Sequence, residues 1–274
     1  MNEPVERDSA TLLLPLLRIL CDLSPDHAVW KNADAGLDGT GDVDFVAPRS
    51  TWPAVEGAFR SWARDATMGP VIACRHMPDT IFLIAVDRDR SDFVQLDVRS
   101  RMTFRGSTVF VAEDLRNCFE LDDRGFRRLR PGSEGLLKLV VSGIAPGGRS
   151  KDRSLAKEGV VQLLSRDPHG VETAAALFGP VGAAARSGAE ALTEGRWNRR
   201  AMAAVEAWFV VKGLTEPLTA LGRARAKRAK AGCELIQTSI RSSRRIPGDL
   251  DEWLARVEQD HAPSGAVPVQ EKRH

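Results

Sequence analysis

The sequence predicts an α+β fold: a mixed β-sheet with flanking helices, followed by an all-helical C-terminal domain. Three observations carry that expectation. Short stretches rich in β-branched and apolar residues recur between residues 28 and 99. Amphipathic helical patterns stand before and between the first of these stretches. From about Ala112 onward the periodic segments are helical. With 274 residues, 43% of them hydrophobic, the chain can bury a substantial core. We expect an α/β domain over 1–120, a helical domain over 121–261 and a disordered tail over 262–274. The break is placed where Asp122-Asp123-Arg124-Gly125 and Arg130-Pro131-Gly132-Ser133 give consecutive turn signals.

Asp8 or Ser9 can cap a first helix whose Leu12, Leu13, Leu16, Leu17, Leu20 and Leu23 fall on one face. A short strand, Ala28 to Lys31, leads into a loop rich in Gly and Asp (Asp34 to Gly41) and a second strand, Asp42 to Ala47. Thr51 with Pro53 opens a second amphipathic helix through Trp52, Val55, Phe59 and Trp62, because proline is tolerated in a first helical turn. Three β-like stretches follow as a meander: Val71 to His76, Thr80 to Val86 and Phe93 to Arg99. Helices are then expected over Ala112 to Phe119, Glu134 to Ser142, Leu155 to Ser165, Val171 to Leu177, Trp197 to Lys212 and Glu216 to Lys230. Beyond Ala262 the apolar period is lost.

The uncharged apolar run Leu12 to Leu17 is far shorter than the roughly 20 residues a membrane span needs. Acidic residues precede it instead of the basic start of a signal peptide, so a cytoplasmic protein is expected. Cys21, Cys74, Cys118 and Cys233 are scattered, with no zinc-like spacing, and read as reduced, packed thiols. The net charge of +2 hides an asymmetry. Residues 1–115 hold 12 Lys/Arg against 18 Asp/Glu, and 116–274 hold 27 against 19. An acidic half suits metal binding and a basic half suits phosphates or nucleic acid.

Residues two apart on a strand share a face, so Asp42 and Asp44 point together while Val43 and Phe45 enter the core. At about 6 to 7 Å and an effective dielectric near 20, their repulsion is on the order of 2 to 3 kcal/mol, which a divalent cation reverses. Asp97 occupies the polar face of Phe93-Val94-Gln95-Leu96-Asp97-Val98. If that strand neighbours the first, three carboxylates converge into a hard oxygen site suited to one or two Mg²⁺ ions.

Gly39-Thr40-Gly41-Asp42-Val43-Asp44-Phe45, followed after a helix and two strands by Asp97, resembles the polymerase β-like nucleotidyltransferase superfamily over roughly residues 10 to 115. The resemblance implies that Asp42 and Asp44 coordinate Mg²⁺ and a nucleoside triphosphate, and that Asp97 binds metal and activates the acceptor hydroxyl. Lys31, Thr40 and Gly41 are the candidate substrate-binding residues. Upstream, Trp30-Lys31-Asn32-Ala33 stands where the family carries a Gly-Gly or Gly-Ser pair beneath the triphosphate, and Lys31 can supply a point charge there. The expected activity is transfer of a nucleoside monophosphate to a hydroxyl of an RNA, such as transfer RNA, or of a small molecule. The alternative is a catalytically inactive binding or regulatory module of the same fold.

Arg223, Arg225, Lys227, Arg228 and Lys230, with Arg241, Arg244 and Arg245 beyond, make a basic run in which Arg223, Lys227 and Lys230 share a helical face able to meet an RNA backbone. No aromatic side chains accompany it for base stacking. Trp197, Trp208 and Trp253 read as core anchors, and the five histidines form no arrangement with a nucleophile. A regulatory protein partner completes the expectations.

Overall fold

A computed structural model describes residues 9–39, 43–89, 92–142, 144–145, 149–150, 157–231, 246 and 248–261. It is an α+β molecule built on a mixed seven-stranded sheet. The first half runs α1 (Ser9–Asp22), β1 (Ala28–Lys31), α2 (Ala33–Leu37), β2 (Val43–Val46), α3 (Trp52–Asp65), β3 (Val71–Met77), β4 (Thr80–Asp87) and β5 (Asp92–Arg99). A two-stranded ribbon, β6 (Arg101–Phe104) and β7 (Ser107–Val111), and a 3₁₀ segment (Ala112–Cys118) lead to a hairpin, β8 (Phe119–Leu121) and β9 (Arg127–Leu129). The second half comprises α4 (Pro131–Val141), the small strands β10 (Ile144–Ala145) and β11 (Arg149–Ser150), α5 (Lys157–Arg166), α6 (Pro168–Ala175), α7 (Gly182–Thr193), α8 (Arg199–Thr215), α9 (Pro217–Ala231) and α10 (Leu250–His261).

The strand order is β3-β4-β5-β2-β1-β9-β8. The β2–β5 and β1–β9 pairs are parallel, and the others are antiparallel. One face carries Val29, Val43, Phe45, Leu83, Leu96 and Val98 against α1 and α3, whose Leu13, Leu16, Leu17, Val55 and Phe59 form the matching apolar stripes. Trp62 donates from Nε1 to the Leu12 carbonyl at 3.0 Å, tying α3 to α1. His27 is fully buried, its Nδ1 2.8 Å from the Leu20 carbonyl and its Nε2 2.7 Å from the Thr51 hydroxyl, so it is a structural link.

The opposite face is covered in two pieces. Ala28, Trp30 and Val46 join one cluster with Leu136, Leu139, Phe178, Ala189, Val205 and Phe209, so the helices from α4 to α8 share a core with the sheet. Ile72, Cys74, Phe82, Ile84, Val86 and Phe93 form the other cluster with Trp253, Leu254 and Val257 of α10, where Trp253 stacks on Phe93 at 5.6 Å. Among the described residues, no helix is long and apolar enough to cross a membrane. Cys21, Cys74 and Cys118 are buried free thiols, burial pushing Cys21 up to about 11, and Cys233 lies outside the described residues.

The structure adds elements that the apolar pattern does not announce. The loop expected from Asp34 contains α2, only five residues long. The sheet continues through Leu129, past the boundary expected at 120. Helix α7 packs through Ala185, Ala189 and Leu192, with Gly188 lying against Met202, and so many small residues give a weak hydrophobic signature. The tail expected over 262–274 lies outside the described residues.

Gly132 sits where α4 crosses the start of α6. A Cβ there would lie 1.9 Å from the Asp167 carbonyl oxygen and 2.6 Å from the Val171 nitrogen, both backbone atoms. Gly132→Ala should therefore cost about 3 kcal/mol of unfolding free energy in urea. Gly57→Ala, at an exposed site in α3 with nothing within 4 Å of the added carbon, should instead stabilise by up to about 1 kcal/mol.

Candidate functional site

Two of the three expected acids are brought side by side. In the parallel β2–β5 pair, Asp44 lies opposite Asp97 and Val46 opposite Arg99. Neighbouring strands stand about 4.8 Å apart, so the two carboxylates on the same face lie within reach of one small ion. Asp44 is 6% exposed. Asp97 is half-buried and accepts a hydrogen bond from Gln95 Nε2 at 2.6 Å. Asp42, Thr40 and Gly41 lie outside the described residues, so the third carboxylate and the loop before it are not placed. Among the described residues, no group of three potential metal ligands comes together. Asp44 and Asp97 are hard anionic oxygen donors, and in chemistry they fit Mg²⁺.

Lys31 reaches this pair through an irregularity. The β1–β2 ladder matches Val29 with Phe45 and then Lys31 with Asp44, so Trp30 and Lys31 together oppose one residue. In an unbroken strand Lys31 would face away from Trp30. The bulge re-aims it, and its Nζ comes within 3.2 Å of Asp44 Oδ2. Trp30 has the Lys31 ammonium 5.0 Å from its ring centroid and the Arg99 guanidinium at 5.9 Å. Asn32, next along, adopts the left-handed conformation (φ 55°, ψ 31°) and heads α2. Asparagine is among the few residues other than glycine that tolerate this region, so Asn32 can turn the chain from β1 into α2.

Along β5 the side chains of Gln95, Asp97 and Arg99 form a polar stripe between the two hydrophobic clusters of this face. Gln95 Oε1, Arg99 Nε, Thr80 Oγ1 and Trp30 Nε1 are all buried and have no hydrogen-bond partner. Sequence reading passed over Arg99 and Thr80. The signal for Arg99 was there, in the strict alternation Gln95, Asp97, Arg99. For Thr80 it was not, since the residue opens an otherwise apolar strand.

An ion network centred on the buried Glu134 and Asp122 closes the other flank, beside α2. Arg128 approaches Asp34 (3.4 Å), Asp122 (3.3 Å) and Glu134 (3.5 Å), and Lys138 reaches Glu134 at 2.5 Å. Glu134 Oε1 also accepts the Asn32 backbone N–H at 3.1 Å. These groups edge a cavity of about 250 Å³ lined by Ala33, Asp34, Val160 and Leu163. Burial alone would raise the Asp122 carboxyl, yet hydrogen bonds from the Arg124 side chain and backbone hold it well below its ordinary value. Asp34 is lowered too: burial opposes the shift, and the Arg124 hydrogen bond with the Arg128 charge prevails.

No protein-family model, curated protein or solved structure matches this chain. In α9, which also contains Arg223, Lys227 and Lys230 of the expected stripe, Arg225 and Arg228 are exposed. Arg241, Arg244 and Arg245 lie outside the described residues. Of the three tryptophans expected as core anchors, Trp253 is fully buried and Trp197 packs partly against the helical cluster, whereas Trp208 is 36% exposed.

Asp122 gives a pH prediction. A depressed folded value means that its contribution is fully present above the ordinary value of 3.8 and is lost as pH falls through the folded value. Asp122→Asn should cost about 2 kcal/mol at neutral pH. Urea unfolding as a function of pH should show the gap to the parent protein closing below about pH 4.

Proposed function

We propose that the protein is a Mg²⁺-dependent nucleotidyltransferase that transfers a nucleoside monophosphate from a nucleoside triphosphate to a hydroxyl of an RNA or small-molecule acceptor. The observation that carries this is the register of β2 against β5, which sets Asp44 beside Asp97 on a sheet face flanked by helices. The element order α1-β1-α2-β2-α3 ahead of the β3–β5 meander, with the paired-acid segment at β2 and the later acid on β5, supports a nucleotidyltransferase-like core. Helices α4 to α10 would then act as the acceptor-facing domain.

Asp44, with Asp42, would hold the metal, which when bound supplies charge neutralisation at the triphosphate. Asp97 takes the proton of the acceptor hydroxyl as its oxygen attacks the α-phosphorus. The new O–P bond forms as the bond to the β-phosphate oxygen breaks, and pyrophosphate leaves with the electron pair. Lys31, released from Asp44, is placed to follow a phosphate as a point charge. The exposed Arg225 and Arg228 of α9 suit an anionic acceptor such as transfer RNA.

One observation favours a second reading, a catalytically silent module that binds or regulates. The Lys31–Asp44 ion pair already balances the charge that a cation would neutralise.

The test incubates purified protein with Mg²⁺, cell extract or total RNA, and each nucleoside triphosphate radiolabelled at its α-phosphate. Label should pass to an acceptor with the parent protein, and Asp97→Asn should reduce the rate by about a hundredfold or more. Asp44→Asn should abolish Mg²⁺-dependent nucleotide binding measured by calorimetry. Absence of transfer together with absence of that binding overturns the proposal in favour of the silent module.

A further inference from the structure

A second cavity, again about 250 Å³, opens where β5 ends. It is lined by the β3–β4 turn (Met77 to Thr80), by Arg99, Arg101 and Thr103, and by Leu218, Thr219 and Gly222 of α9. Arg99 follows Asp97 by two residues on the same face, so this cavity begins one pleat repeat, about 6 to 7 Å, from the carboxylate pair.

The chemistry of its wall is unbalanced. Arg101 is committed to Asp79, with Nη2 and Nε at 2.7 and 3.2 Å from Oδ1. Among the described residues no carboxylate pairs with Arg99. Its guanidinium lies over the Trp30 ring at 5.9 Å, which restrains its orientation, and its Nε is buried without an acceptor. Across the β4–β5 pair, Thr80 is the direct partner of Arg99, is fully buried, and has an equally unpartnered hydroxyl. Leaving such donors unsatisfied is unfavourable unless something else satisfies them. With Asp79 set against Arg101, the lining keeps one uncompensated positive charge. A half-buried arginine with its Nε edge free is the geometry that receives an oxyanion through two parallel N–H···O bonds.

We propose that this cavity is an oxyanion subsite in which Arg99 and Thr80 receive a phosphate or carboxylate group of a small-molecule ligand, with Arg101 held by Asp79 as its outer wall. Resting on the transferase reading, the subsite belongs to the acceptor: a small molecule whose anionic group sits one pleat repeat from the hydroxyl presented to Asp97. The volume admits such a group with a few carbon atoms.

Binding is read directly, without turnover, by calorimetry on the full chain with methyl phosphate and with acetate as probes. The better of the two names the oxyanion. Arg99→Gln should weaken that binding by about tenfold or more, and Arg99→Lys by less, since charge survives while the fork is lost. Thr80→Val should weaken binding several-fold and, by removing an unpartnered hydroxyl, leave the ligand-free melting temperature unchanged or higher. That opposition of affinity and stability is a signature that a merely structural threonine would not give. Equal affinity in the parent and Arg99→Gln proteins, or no binding of either probe, overturns the subsite. Probe binding lost in Arg99→Gln, in a protein that neither transfers label nor binds nucleotide with Mg²⁺, upholds the subsite and sinks the transferase reading. Label transfer with an acceptor KM unmoved by Arg99→Gln does the reverse.

Discussion

The parallel pairing of β2 with β5 is the constraint on which the rest of this structure depends. β2 is only four residues long, yet it is the central strand that joins the β3–β5 meander to the β1–β9–β8 side of the sheet. Its register places Phe45 beside Val98 and Val43 beside Leu96 on the face that α1 and α3 bury. The same register places Asp44 beside Asp97 on the other face. A slip of one residue would invert both sets at once, sending carboxylates into the α1–α3 core. Apolar burial on one side therefore holds the polar geometry on the other.

That second face is unusual in being covered by two separate bodies. The α4–α8 helices close over Trp30 and Val46, and α10 closes over Phe82 and Phe93. Between them runs the line from Gln95 to Arg99, where Gln95 Oε1 and Arg99 Nε are buried without hydrogen-bond partners. A fully apolar interface would have no reason to leave such atoms there, because each costs on the order of 1 to 3 kcal/mol when left unmade. On the α2 side Arg128, Glu134 and Asp122 are joined by ion pairs, with only the Arg128 Nε left without a partner, and the two flanks of the face thus differ in electrostatic character.

How much of this was legible in the sequence follows from the range of the interactions involved. The five N-terminal strands and the α1 and α3 helices were readable, because their burial repeats every two or three to four residues: Leu13, Leu16, Leu17 and Leu20 on α1 are buried as the spacing demands, although Leu23 is 43% exposed. Placing Asp97 on the polar face of its strand was equally local. Its adjacency to Asp44 depended on a pairing of residues about fifty positions apart, which periodicity cannot specify. The β8–β9 hairpin escaped notice because strands of three residues are too short for a period of two to stand out, and Arg127-Arg128 places two charges side by side. Lys31 stands out in the sequence only as a lone charge beside Trp30, and its ion pair with Asp44 arises from a bulge that no local pattern announces.

The bulge sets Trp30 and Lys31 of β1 against one residue of β2. A regular ladder would let one residue of β1 stand against Asp44, and shortening the strand by residue 30 would restore such a ladder while keeping a lysine opposite the aspartate. What would vanish is the indole beneath Arg99. The extra residue sets both Trp30 and Lys31 against Asp44, where the pleat alone has room for one of them. The defect in the hydrogen-bond ladder is thus the means by which two chemistries occupy one rung, and it makes β1 a strand whose length, as much as its composition, is held under constraint.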